Sequence, residues 1–151
     1  MQIKVLDARI FDWGLPQYQS AGAAGVDLFA CMDAPVQVLA QAPAILIASG
    51  IALNFGDLAL AGLVLPRSGL GHKKGLVLGN SLGLIDPDYT GEVLISLWNR
   101  NPPGSAPIDI RPGDRIAQLV FVPILRPEFE VVRAFSQTGA RGAGGFGSTG
   151  G

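Results

Sequence analysis

Glycine and proline set the grain of this chain: 21 Gly and 11 Pro stand between short apolar runs instead of gathering into one low-complexity tract. The runs they separate are residues 3–6, 26–30, 36–39, 44–48, 51–55, 58–65, 76–78, 92–98, 115–122 and 129–132. Most are of strand length and too short to hold a helix by themselves. Several are apolar on both faces, as in Leu63-Val64-Leu65 and Leu119-Val120-Phe121-Val122, which fits strands covered on two sides. The pattern predicts an all-β jelly roll, a sandwich or barrel of short strands. Only residues 68–74 suit a short helix, with Ser68 as its cap and Gly69 and Gly71 weakening it.

Several function classes are disfavoured at this level. With 151 residues one domain is expected, with core enough to dispense with staples. Cys31 has no second cysteine to bridge to, and with His72 the single histidine no structural zinc site can be assembled. A net charge of −1 with 15% charged residues gives no bulk basicity for nucleic acid, so any anion site must be local. The start, MQIKVLDARI, lacks a basic apolar leader, and the most apolar stretch, residues 40–66, is broken by Pro43, Gly50, Asn54, Gly56 and Asp57. No membrane association and a cytoplasmic location are expected. A hydrophobic fraction of 48% is high for a small monomer, and a second copy of the same chain is the simplest cover for the surplus.

The composition changes near residue 137. Residues 1–136 read as the folded body, and residues 137–151, QTGARGAGGFGSTGG, hold seven glycines and one large apolar side chain, Phe146. Such a segment cannot build a core and is expected to be a flexible arm. It need not be inert, because Arg141, Phe146, Ser148 and Thr149 put a cation, a planar ring and two hydroxyls among glycines whose N–H groups can approach phosphate closely.

Four further constellations precede the arm. Ala24-Gly25-Val26-Asp27-Leu28 puts a carboxylate into a strand start, where a turn or solvent role serves equally. Pro66-Arg67-Ser68-Gly69-Leu70-Gly71 joins a guanidinium, a hydroxyl and backbone N–H groups, a donor set that suits phosphate, although a surface turn would use the same residues. Gly79-Asn80 leads through a short hairpin to Gly83-Leu84-Ile85-Asp86-Pro87-Asp88-Tyr89-Thr90-Gly91-Glu92. There Asp-Pro-Asp also reads as a type I turn with Tyr89 packed on it. Arg111-Pro112-Gly113-Asp114-Arg115 enters an apolar strand interrupted by Gln118, whose amide needs partners from a ligand, an interface or the interior.

Together, in this order, these segments resemble the five motifs of the trimeric dUTPase family, over residues 24–150. PRSGLG, GLIDPDYTGE, RPGDRIAQLVF and RGAGGFGST carry the match. The resemblance implies a homotrimeric jelly roll with active sites shared between subunits and closed by the glycine-rich arm. It implies hydrolysis of dUTP to dUMP and pyrophosphate with Mg2+. Asp86 is then the general base that activates water. Arg67, Ser68, Gly69, Gln118, Arg141, Ser148 and Thr149 attend the phosphates. Asn80, Leu84 and Ile85 border the uracil, Tyr89 lies against the sugar, and Phe146 stacks on the base. Asp27 touches the metal's water shell. A dCTP deaminase shares the fold but needs a Glu ten residues after the aspartate, where this chain has Ser96. A non-catalytic nucleotide-binding jelly roll would tolerate decayed motifs, and these are complete. Ala143, where relatives often place a polar residue, is a minor departure.

Overall fold

The computed structural model describes residues 1–136. Ten strands run through these described residues: β1 Gln2–Val5, β2 Gly25–Phe29, β3 Val36–Val38, β4 Ile45–Asn54, β5 Leu60–Pro66, β6 Leu76–Leu78, β7 Gly83–Ile85, β8 Glu92–Asn99, β9 Ile108–Ile110 and β10 Arg115–Pro123. One sheet has the order β1-β4-β8-β6 and a second the order β2-β10-β5-β7, while β3 and β9 form a two-stranded ribbon. Their ladders are antiparallel. The jelly-roll expectation holds.

The core lies between the two larger sheets and is written by alternation. In β8, Val93, Ile95 and Leu97 are buried while Leu94 between them faces out. They meet Leu28, Ile51, Phe55 and Leu119, with Phe55 and Phe121 in edge contact, centroids 5.8 Å apart at 77°. Burying each such side chain contributes about 1.5–3 kcal/mol before entropy is charged against it. Among the described residues every buried side-chain nitrogen or oxygen has a hydrogen-bond partner.

Two irregularities shape the site. Runs 44–48 and 51–55 fuse into one strand, β4, because Gly50 takes φ +72° where the pairing with β8 slips. A Cβ there would stand 2.8 Å from Cys31 Sγ, and the Gly50 N–H is satisfied by Glu92 Oε1 at 2.9 Å. In β10 the register with β2 slips between Arg115 and Ala117, so Ile116 and Ala117 are buried in succession and Gln118 turns outward opposite Asp27.

Several expectations need correction. The 68–74 helix is a single π-helical turn, Leu70–Lys74, and Ser68 does not cap it: the cap position is Gly69, with no side-chain bond. Residues 79–86 are not a hairpin, since β6 pairs with β8 in the first sheet and β7 with β5 in the second, so the segment crosses between sheets. Residues 129–132 form no strand; Phe129 and Val131 are 91% and 98% exposed, with no sheet edge among the described residues paired to them. The strands β7 and β9 and the helical turn Ile10–Trp13, α1, were not visible in the apolar pattern, since Gly83, Asp109 and Asp12 break their short runs.

Candidate active site

The start of β2, the end of β5 and the start of β10 converge on a cleft of about 600 Å3. Gly25, Asp27, Arg67, Ser68, Gly69 and Gln118 line it, together with Lys73, Lys74 and Arg115. Four cations thus face one carboxylate in a chain whose overall charge is negative, which makes the cleft a local anion trap. The structure brings Arg67, Ser68, Gly69, Gln118 and Asp27 of the sequence motifs to one cleft. Arg115, Lys73 and Lys74 line it too without having been singled out, and the visible signal was the basic run Lys73-Lys74 two residues beyond the PRSGLG loop.

The polar groups are held individually. Asp27, with a side chain 13% exposed, has Arg67 Nε 2.8 Å from Oδ1 and Arg115 Nη1 3.2 Å from Oδ2. Arg67 Nη1 also donates to the Arg115 carbonyl at 3.2 Å. Gln118 Nε2 donates to the Pro66 carbonyl at 2.9 Å, which answers the partner question posed by its place in an apolar strand. Gly25 is closely packed, since a Cβ would stand 3.0 Å from Val120 and 3.1 Å from the Leu119 carbonyl oxygen. Ser68 is exposed, and its hydroxyl makes no hydrogen bond among the described residues.

The π-turn is fastened from behind. Its end is Gly75 at φ +76°, and Asn101 Nδ2 donates to the Lys74 carbonyl at 2.8 Å while Arg100 Nη2 donates to the Gly71 carbonyl at 3.0 Å. Asn101 is placed in turn by the buried Asn99, whose Oδ1 accepts the Asn101 N–H at 3.1 Å. The turn before β10 is equally fixed: Gly113 N–H donates to the Ala30 carbonyl, Ala30 N–H to the Asp114 carbonyl, and Arg111 N–H to Asp114 Oδ2. The Trp13 indole lies where a Cβ on Gly113 would stand, 2.9 Å from Nε1.

Asp86 belongs to a different place. A recess of about 180 Å3 is lined by Leu84, Ile85, Asp86, Tyr89, Glu92 and Leu94. Tyr89 N–H donates to the Asp86 carbonyl at 3.1 Å, closing the turn over Pro87-Asp88, and Tyr89 Oη donates to the Glu92 carbonyl at 2.9 Å. Asp86, Asp88, Asn80 and Leu84 are exposed, and Ile85 is buried. Since Ile85 pairs with Gly62, Asp86 stands level with Ala61. Pro66 is five residues further along β5, so Asp86 is roughly 17 Å from the start of the Arg67 loop. One chain therefore brings the phosphate-type donors together and leaves Asp86 apart from them. Arg141, Phe146, Ser148 and Thr149 lie outside the described residues.

No group of three or more His, Cys, Asp or Glu among the described residues could hold a metal ion, and both oxygens of Asp27 face guanidinium groups. Titration is distinctive around Cys31. Burial, and then the neighbouring Asp7, pushes its thiol up to about 11. Hydrogen bonds from Arg9 hold the Asp7 carboxyl well below the usual carboxylate range. No helix among the described residues is long and apolar enough to cross a membrane.

Comparison with known proteins adds a consistent result. A family model described as dUTPase matches residues 12–150. The deoxyuridine 5'-triphosphate nucleotidohydrolase of Acinetobacter baumannii is 50% identical over 99% of this chain and 97% of its own. That of Legionella pneumophila is 52% identical over 99% and 96%. Among solved structures, a mutant Staphylococcus bacteriophage 80alpha dUTPase with dUpNHpp superposes with a TM-score of 0.82 at 27% identity, covering 99% of this chain and 97% of that one. A mutant dUTPase of phage phi11 of S. aureus, described as revealing the coordination of a structural Mg(II) ion, gives 0.74 at 26% identity over 90% and 98%.

Proposed function

The chain belongs to the dUTPase family and hydrolyses dUTP to dUMP and pyrophosphate, and from that premise we propose that Asp86 is its general base and the cation-lined cleft its triphosphate site. The cleft carries the reading, since its guanidinium groups, ammonium groups and free Ser68 hydroxyl form the donor set that a polyphosphate needs. In this scheme the Asp86 carboxylate takes a proton from a water whose oxygen attacks the α-phosphorus in line. The bond from that phosphorus to the bridging oxygen breaks, and pyrophosphate leaves. Asn80, Leu84, Ile85 and Tyr89 border the uracil and sugar. Arg67, Ser68, Gly69 and Gln118 orient the phosphates.

Because one chain holds Asp86 and the cleft apart, the working unit is a homotrimer in which neighbouring subunits join the two halves. The exposed segment with Leu125, Phe129, Val131 and Phe135 supports this reading, as apolar surface left for another copy. Residues 137–151 form the arm that closes the site, with Arg141, Ser148 and Thr149 toward the phosphates and Phe146 on the base. A Mg2+ cofactor would be held mainly through the substrate's phosphates and water, which suits described residues that offer no carboxylate cage, with Asp27 reaching its hydration shell at most. When bound, it neutralises phosphate charge.

The test is pyrophosphate release from dUTP, dCTP, dTTP and UTP with Mg2+, for the wild type and Asp86→Asn. Release from dUTP alone is expected, reduced about 10²–10⁴-fold in the variant as for loss of a general base. An Asp86→Asn enzyme with wild-type kcat would remove that residue from the mechanism.

A further inference from the structure

Asp27 is a carboxylate shared by two arginines, and only one of them was expected at the phosphates. Arg67 approaches Oδ1 through Nε, and Arg115 reaches Oδ2. Arg67 Nη1 is spent on the Arg115 carbonyl, which leaves its Nη2 end without a partner among the described residues, in the wall of the cleft. The backbone of Arg115 leaves a turn tied to Ala30 and Asp114 and covered by Trp13, so its guanidinium reaches Asp27 from a fixed base.

A largely buried carboxylate has to be charge-compensated. If Arg115 were absent, the single guanidinium left beside Asp27 would be drawn onto both of its oxygens, since the bidentate pairing of arginine with carboxylate is the strongest arrangement open to it. Arg67 would then turn its free edge from the cleft into the sheet. We propose that Arg115 is a positioning residue for dUTP binding: by occupying one oxygen of Asp27 it confines Arg67 to the other, and so keeps the Arg67 guanidinium presented to the triphosphate. The inference rests on the reading of the cleft as the triphosphate site, and it assigns Asp27 the role of a spacer between two cations.

The experiment measures binding of a non-hydrolysable dUTP analogue and of dUMP, with steady-state kcat and KM for dUTP, for the full-length wild type, Arg115→Ala, Arg115→Lys and the double variant Arg115→Ala/Asp27→Asn. Arg115→Ala is expected to weaken the analogue about tenfold or more and to raise KM more than it lowers kcat, as for loss of an oriented binding contact. Binding of dUMP should change much less. Arg115→Lys should keep part of the effect, its ammonium still compensating Asp27. Measured without Mg2+, whose hydration shell Asp27 also reaches, the double variant should bind the analogue better than Arg115→Ala alone, because removing the carboxylate charge frees Arg67. A purely structural Arg115 would give no such recovery.

Wild-type analogue binding by Arg115→Ala, or a double variant as weak as or weaker than the single one, would overturn the proposal. Should Arg115→Ala fail to fold, Arg115→Lys compared with Arg115→Lys/Asp27→Asn decides by the same recovery. Arg67→Ala separates the two readings. If it binds the analogue normally, the assignment of the cleft fails as a whole; if it is impaired while Arg115→Ala is not, only the present inference fails.

Discussion

The cation-lined cleft and the Asp86 recess differ in how much of their geometry a single chain supplies. In the cleft, Asp27, Arg67, Gln118 and the π-turn are each tied to backbone or to a counter-charge, and the bonds come from three strands and two loops. Around Asp86 the turn is closed by its own residues, and the carboxylate stands exposed in a recess lined by Leu84, Ile85, Tyr89, Glu92 and Leu94. A pre-formed anion site can be built by one fold because its donors are compensated in place. On the proposed reading, a base that must meet an α-phosphate gains its environment from whatever closes over it, another subunit and the arm.

The largest effect that would sharpen this contrast is complementation. Asp86→Asn and Arg67→Ala, each inactive or nearly so alone, should recover activity when mixed and allowed to exchange subunits, to on the order of a quarter of wild type for random trimers with sites shared by two chains. Recovery no greater than the sum of the separate variants would place both halves of each site in one chain and break the comparison.

Next comes the backing of the cleft. Gly75→Ala puts a Cβ at φ +76° into the Asn101 amide that holds Lys74, and should lower stability by about 1–3 kcal/mol while raising KM for dUTP. Denaturant unfolding and steady-state kinetics check both parts; a change in stability with unchanged KM would detach Lys73 and Lys74 from substrate binding. Tyr89→Phe should be milder, since only its bond to the Glu92 carbonyl is lost, and about 0.5–1.5 kcal/mol is expected in the same unfolding measurement.

The smallest effect concerns pH and neither half of the site. The Cys31 thiol is raised from 9.0 to about 11 in the fold, so its contribution to stability is present below pH 9 and is lost as pH rises from there through about 11. Unfolding of Cys31→Ala against wild type across this range should show the two curves converging at the alkaline end. Alkylation of folded protein near neutral pH should be slow.

Much of this molecule could be read before its structure. Alternation in residues 92–98 and the apolar run 115–122 gave the central strands, and the motif order gave the family and the neighbours in the cleft. The short strands β7 and β9 escaped because Gly83 and Asp109 leave no continuous apolar run in them, and they exist by pairing with β5 and β3. The run at 129–132 misled for the complementary reason: its pattern suits a strand, but it pairs with no strand among the described residues.

The sequence by itself determined the fold class, the family, and which residue types stand at the Arg67 loop and at the Asp86 turn, because these depend on local periodicity and on motifs contiguous in the chain. Only the tertiary structure decided that Asp27 lies between Arg67 and Arg115, that Gln118 faces outward to the Pro66 carbonyl, and that Asp86 is held roughly 17 Å from the Arg67 loop. Those relations join residues between 19 and 88 positions apart, and they are set by strand order, by a one-residue slip in β10 and by the backbone bonds of two turns, none of which leaves a mark on the residues of any one segment.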